Sequence, residues 1–184
     1  MCLATNIEER ACVSVEGRKC VEVNQPGALH VTEGEGKTLW VVDELMTFKA
    51  SGEDTGGAYA LTDSVVPPGG GPPPHIHHRE HEAFWVLEGE LEVMVGDTTF
   101  RAGAGSFVHL PKDIPHTYEN IGTGPARFLT LIVPAGLEKF FEEVGKPGSD
   151  VSSPPPFEEK EIEKLLAVAP KYGAEILPPP EPEH

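Results

Sequence analysis

Basic residues are scarce in this chain. Lys and Arg together number 14 against 30 Asp and Glu in 184 residues, a formal charge of −16. Nucleic-acid binding draws much of its affinity from Lys and Arg on phosphates, so DNA, RNA and anionic membranes are poor partners. The excess acid reads as a solvated surface, since net charge speaks to association rather than to fold. Cysteine is scarce as well: Cys2, Cys12 and Cys20 are odd in number and form no CxxC pair. Neither a disulfide framework nor a zinc knuckle is indicated, and free thiols in a reducing compartment are the expectation. No stretch approaches the roughly 18 apolar residues of a membrane span, and the opening MCLATNIEERACVSVEGRKC has no basic segment followed by an apolar one. A cytoplasmic protein is therefore expected. Long helices are missing too, because 20 glycines and 19 prolines interrupt the chain throughout most of its length. No internal repeat is present.

What remains is a mainly β chain of one-domain size. Residues 1–36 alternate weakly, with Val13 and Val15, then Val21 and Val23, at period 2, and are expected to form outer strands or an arm. From Lys37 the pattern firms. TLWVVDELMTFKA reads as a hairpin turning near Asp43 and Glu44, and GGAYALTDSVVPPGG as a strand that stops at Pro67 and Pro68. Further on, EAFWVLEGELEVMVGDTTFRAGAGSFVHLP gives three short strands with turns at Glu88-Gly89, Gly96-Asp97 and residues 102–105. In the middle one Leu91, Val93 and Val95 face one way and Glu92 and Met94 the other, the alternation of an antiparallel sheet wet on one side. ARFLTLIVP is apolar enough to be buried on both faces. Residues 37–134 thus read as a barrel or sandwich core.

Beyond Pro134 the period changes. Leu137, Phe140, Phe141 and Val144 have helical spacing, with Gly145 placed to cap the end. After a linker, FEEKEIEKLLAVA sets Phe157, Ile162, Leu165, Leu166 and Ala169 near one helical face, and Pro170 ends the run. Residues 135–177 are expected to pack on the barrel as a helical segment, and residues 178–184 to be an acidic, proline-rich tail.

The chemistry concentrates in GGGPPPHIHHREHEAFWVLEGE. His75 and His77, two apart on a strand, put both imidazoles on one face. Glu82 can offer a carboxylate from the next strand, and GSFVHLPKDIPHTYEN returns His116 to the same side. Three imidazoles and one carboxylate make a mixed nitrogen and oxygen site for a divalent transition metal (iron, nickel, cobalt, manganese, copper or zinc), with calcium and magnesium disfavoured. A histidine-rich surface loop could bind metal adventitiously, but that would leave the spacing of Glu82, Gly89, His116 and Asn120 unexplained. His78 and His81 fall off the alternate positions and are expected at the surface or behind the ligands. His109 is left unassigned. Phe84 and Val86 share the parity of Glu82 and form either an apolar wall for a planar substrate or plain core. Tyr118 shares the parity of His116 and either meets substrate or fills the barrel. Arg79 and Arg101 are expected in surface ion pairs, and Asn120 is expected to tie a turn through its amide.

These segments resemble the two cupin motifs. Gly69, five residues, His75, one residue, His77, four residues, Glu82, six residues and Gly89 match the first motif throughout. Gly105, Pro111, His116 and Asn120 match the second, except that Asp113 stands where glycine is usual, a residue that tolerates left-handed geometry. The resemblance implies a cupin jelly-roll β-barrel with short C-terminal helices, its ligands gathered at one end of the interior. GEGKTLW, GEDTGGAYAL, PAGLEKFFEEVG and KYGAEI extend the likeness to single-domain bacterial cupins related to quercetin dioxygenases. That narrower resemblance implies a metal held by His75, His77, Glu82 and His116, with Glu82 doubling as the catalytic base that deprotonates a flavonol. The function expected is a metal-dependent dioxygenase acting on a flavonol-like or other enol or phenol substrate and dioxygen. The alternatives are a metal-dependent isomerase or other non-oxidative enzyme on a sugar or keto acid, which needs basic groups in the cavity (Arg79, Arg101, Lys112 and Arg127 being the nearby candidates), and a non-catalytic module binding a small ligand. A homodimer is expected, because cupins commonly dimerise through additions to the barrel.

Overall fold

In the computed structural model, residues 27–148 and 159–178 are described. The expected strands around Val13 to Val23, the position of Phe157 and most of the acidic tail lie outside them. Among the described residues the chain runs through β1 (Lys37–Val41), β2 (Glu44–Ala50), α1 (Gly52–Thr55), β3 (Ala60–Val66), β4 (His75–His77) and β5 (His81–Glu88). It continues with β6 (Glu90–Val95), β7 (Thr98–Gly103), β8 (Phe107–Leu110), β9 (His116–Asn120), β10 (Ala126–Val133), α2 (Glu138–Val144), the two-residue β11 (Lys146–Pro147), α3 (Glu159–Val168), a 3-10 turn (Ala169–Tyr172) and β12 (Ala174–Ile176). The mainly β expectation holds, with short helices near the C-terminal end.

The strands form two antiparallel sheets, one in the order β11-β1-β2-β3-β10-β5-β8 and the other β12-β4-β9-β6-β7. They face each other, and the alternation of each strand decides which side chains meet between them. Ala60, Thr62, Ser64 and Val66 of β3, Phe84 and Val86 of β5, and Ala126, Phe128, Thr130 and Ile132 of β10 all point inward. From the second sheet come Leu91 and Val93, opposite Asn120 and Tyr118. Two apolar clusters result. One, around Phe84, Val86, Leu91, Val93, Val108, Leu110 and Phe128, fills the space between the sheets. The other joins Leu39, Val41, Met46 and Phe48 to Leu137, Phe140, Phe141, Leu165, Ala169 and Ala174, so the C-terminal helices pack on β1 and β2.

Backbone requirements at the motif turns are met locally. Gly89 sits at φ +79, and a Cβ there would lie 2.8 Å from the Ala126 backbone, which only glycine avoids. Asp113 does adopt the left-handed region, at φ +63, and its side chain is held by His78, so the departure from glycine keeps the turn.

Four expectations are corrected. The stretch from Glu82 to Pro111 carries four strands, β5 to β8, because the 102–105 turn separates β7 from β8 rather than ending the run. β10 is buried on one face only: Leu131 and Val133 are 37% and 40% exposed on the outer face. A continuous apolar run does not distinguish a doubly buried strand from one whose outer face is apolar. Leu166 is 49% exposed, so the buried stripe of α3 is narrower than its composition suggests. Finally, KYGAEI contains a strand, β12, pairing with β4 through Ala174↔His77 and Ile176↔His75. Gly145 does cap α2, donating its N–H to the Phe141 carbonyl at 2.8 Å, but from an extended conformation at φ −71.

Candidate metal centre

β4 and β9 are neighbours in register, with His75 opposite His116, and β4 also carries His77 two residues on, its side chain on the same face. Glu82 comes from the facing sheet, beside Ile132 and Leu110. The structure therefore brings all four expected residues together: one ligand atom from each of His75, His77, Glu82 and His116 lies within 4.8 Å of every other. All are buried, between 1% and 9% exposed. Glu82 Oε2 is 3.5 Å from His77 Nε2 and 3.4 Å from His116 Nε2.

The hydrogen bonds behind the ring atoms fit a metal. Nδ1 of His75 donates to the Pro73 carbonyl and Nδ1 of His116 to the Ile114 carbonyl, each at 2.9 Å. A carbonyl only accepts, so both Nδ1 atoms carry the proton and both Nε2 atoms present a lone pair to the group's centre. His116 Nε2 is fully buried and has no hydrogen-bond partner, a position that a cation would satisfy. Electrostatics agree at His75 and Glu82. Burial, then the neighbouring His77 and His116, lower the His75 pKa to about 3, keeping it neutral and able to ligate. Burial also opposes charge on Glu82, but the neighbouring His77 and His116 outweigh it and hold the carboxyl well below the usual range. At His77 burial acts against the proton, and the charge and hydrogen bond of Glu82 raise the pKa overall.

His75, His77 and Glu82 of this group form part of the lining of a cavity between the two apolar clusters. Phe84 lines it beside Glu82, while Val86 on the same face is fully buried core. Tyr118 both lines the cavity and packs edge-on against Phe84 and Phe128. Phe140, Phe141 and Leu165 also line it.

The other histidines of the motif region lie elsewhere. His78 bonds Asp113 at 2.8 Å at the surface, and His81 stacks on an outward-facing His109 at 5.6 Å. Among the described residues no Lys or Arg lines the cavity. Arg127 makes a double hydrogen bond to Asp63, Arg101 pairs with Glu92, Lys112 lies beside Asp113, and the Arg79 side chain lies over Gly173. Asn120 ties its turn as expected, donating to the Val66 and Gly124 carbonyls and accepting from the Gly122 N–H.

Sequence reasoning missed two buried carboxyls near the group. Glu44, 6% exposed, lines the cavity and accepts a short hydrogen bond from the Tyr118 hydroxyl. Its parity with Met46 and Phe48 was the available signal. Glu80, 3% exposed, has a carboxylate oxygen without a partner, as does Nδ1 of His77, and the two charges interact. Nothing in the local pattern distinguishes Glu80 from a surface residue.

Comparison with known proteins places these features in context. The pattern of the cupin domain matches residues 63–132, which include all four residues of the group. Quercetin 2,3-dioxygenase of Bacillus subtilis is 26% identical over 141 residues, covering 76% of this chain. The chain spans only 42% of that dioxygenase's length. Among solved structures, a predicted oxalate decarboxylase from Thermotoga maritima superposes with a TM-score of 0.54 at 22% identity, over 58% of this chain and 99% of its own. An RmlC-like cupin from Shewanella frigidimarina gives 0.51 at 17% identity, over 61% and 96%. At these identities the structural likeness speaks to the fold.

Proposed function

The chain belongs to the cupin superfamily, and from that premise we propose that it is a metal-dependent dioxygenase acting on a flavonol-like or other enol or phenol substrate. In this reading His75, His77, Glu82 and His116 hold one divalent transition metal. Such an ion, when bound there, would supply Lewis-acid polarisation of the substrate oxygen. The three imidazoles fix the centre, and the apolar wall of Phe84, Phe140, Phe141 and Leu165 receives a planar ring. Glu82 is a ligand that can also take the hydroxyl proton if it swings away.

The observation that carries the reading is the cavity itself: His75, His77 and Glu82 of a three-histidine, one-carboxylate group open on a largely apolar lining that, among the described residues, contains no Lys or Arg. An isomerase for a phosphorylated sugar or a keto acid needs a positive group to meet its anion, and Arg79, Arg101, Lys112 and Arg127 are all engaged outside the cavity. The likeness to a quercetin dioxygenase supports the same choice. Oxygen uptake with a flavonol panel tests it, using protein reconstituted separately with each candidate metal and Glu82→Ala as control. Uptake dependent on metal, flavonol and Glu82 is expected. Stoichiometric metal without uptake would sink the flavonol reading and favour a non-oxidative or purely binding role.

A homodimer belongs to the same proposal. Trp85, Phe107, Leu131 and Val133, between 37% and 62% exposed, share the outer face of the larger sheet, a surface on which a second copy can pack. Light scattering of wild type and Trp85→Lys would show a dimer turned monomer, or discard this face. Among the described residues no helix is long and apolar enough to cross a membrane.

A further inference from the structure

The cavity contains a carboxyl group that the four-residue group does not use. Glu44 opens β2, directly after a turn in which Val42 is forced to φ +57, a conformation that β-branched residues rarely adopt. The side chain is buried and lines the same wall as His75, His77 and Glu82. It is held in place: the Tyr118 hydroxyl donates to its Oε2, Ser64 hydrogen-bonds it, and Ser64 and Thr62 share a further hydrogen bond of 3.4 Å. The charged or titratable groups facing it are Asp43 from its own turn, Tyr118 from β9, Glu82 from β5 and, lining the same cavity, His75 and His77 from β4. None is a fixed cation.

Such a carboxyl is suited to moving a proton. Burial, against the hydrogen bonds of Ser64 and Tyr118 and helped by the charges of Glu82 and Asp43, pushes the Glu44 pKa up to about 7. A general acid or base works best with a pKa near the working pH. Glu82 is placed differently, lodged between His77 and His116 as a member of the proposed ligand group.

We infer that Glu44 is the second acid–base group of this site, taking the hydroxyl proton of an enol or phenol bound in the cavity while Glu82 remains a ligand. The substrate O–H bond breaks, a new O–H bond forms on the Glu44 carboxylate, and the electron pair stays on the substrate oxygen. The proton returns to product when it leaves. Tyr118 is a positioning residue, orienting the carboxylate through its donated hydrogen bond. This inference rests on the proposed function and moves one step of it from Glu82 to Glu44.

The test reads ionisation of a bound probe, not turnover. Zinc-loaded protein is titrated anaerobically with a flavonol and, separately, with a nitrocatechol, whose absorbance reports whether the hydroxyl is ionised, across a pH series. Wild type, Glu44→Gln and Tyr118→Phe are compared, with zinc content and thermal midpoint as controls. In Glu44→Gln zinc stays stoichiometric and the bound probe is about tenfold less ionised at a given pH, a shift of about one unit. Tyr118→Phe shows a smaller shift in the same direction, and stands in should Glu44→Gln fail to fold. Ionisation identical to wild type in the folded variants would overturn the proposal. Glu44-dependent ionisation of the nitrocatechol without flavonol binding would keep Glu44 and discard the flavonol reading. Failure of zinc-loaded wild type to bind either probe overturns both.

Discussion

The two apolar clusters beside the cavity are assembled in different ways. The cluster between the sheets is made wholly of strand residues at alternate positions, from Val66 through Phe128, most of them under 5% exposed. The other is collected from β1, β2, α2, α3, the 3-10 turn and β12, pieces far apart in the chain. The first follows directly from period-2 patterning and is stabilised by the same sheets that carry the four polar residues. The second depends on C-terminal segments packing on β1 and β2, and it supplies much of the cavity's apolar lining. Stability and site shape are therefore expected to separate: changes in the first cluster unfold the protein, and changes in the second alter what it binds.

The polar group between the clusters should respond most strongly. Glu82→Ala or His116→Ala is expected to weaken metal binding by more than about 100-fold, since loss of even an outer-shell partner costs 10- to 100-fold. His109→Ala, which alters an outward-facing ring, should leave it unchanged. Metal titration of the three variants decides this, and equal affinity in all of them would remove the proposed ligand set. Next comes the cluster between the sheets. Phe128 is fully buried against Phe84 and Tyr118, so Phe128→Ala should cost about 4 kcal/mol in denaturant unfolding. A loss below 1 kcal/mol would show that the sheets do not depend on this packing.

Glu44 gives the comparison a pH axis. Its folded pKa of about 7 lies above the ordinary 4.5. Below about pH 4.5 both folded and unfolded chains hold the proton. As pH rises toward 7 only the unfolded chain releases it, so metal-free wild type loses stability across that window, by up to about 3 kcal/mol, and no more above it. Glu44→Gln lacks this loss, and unfolding curves of the two proteins should therefore diverge from pH 4.5 to 7. Parallel curves would mean that Glu44 ionises normally. Smaller still, Leu165→Ala in the second cluster should cost about 2 kcal/mol, the low end for a Leu truncation at a site 7% exposed, while changing probe affinity more than Phe128→Ala does. The reverse order of affinity effects would break the proposed separation.

What could be read from the chain follows the same division. His75, His77, Glu82 and His116 were legible because spacing along strands and turns fixes which side chains share a face, and the turn positions Gly89 and Asp113 obeyed local backbone rules. Glu44 was obscured because Asp43-Glu44 reads as a turn, although Glu44 belongs to β2 and keeps step with Met46 and Phe48. β12 is three residues long, too short for any period to register, and exists because β4 offers it an edge. Leu131, Val133 and Leu166 misled for one reason: apolar character marks a residue that can be buried, whereas the neighbours that bury it are set by tertiary packing.

The smallest expected effect concerns the one motif position that departs from glycine. Asp113 bears the cost of a left-handed backbone, φ +63, which glycine would not. Against that, its carboxylate bonds His78 at 2.8 Å, and His78 also reaches Glu175 of β12 at 3.4 Å, so the side chain joins the β8–β9 turn to β4 and the C-terminal strand. The contact is exposed and worth little by itself. Asp113→Gly should therefore shift the thermal midpoint by no more than about 3 °C in either direction. The informative background is His78→Ala, in which the compensating contact is already gone. There Asp113→Gly should raise the midpoint, because only the backbone term remains. If it lowers the midpoint in both backgrounds, the aspartate supports the turn by something other than His78, and the account of this departure fails.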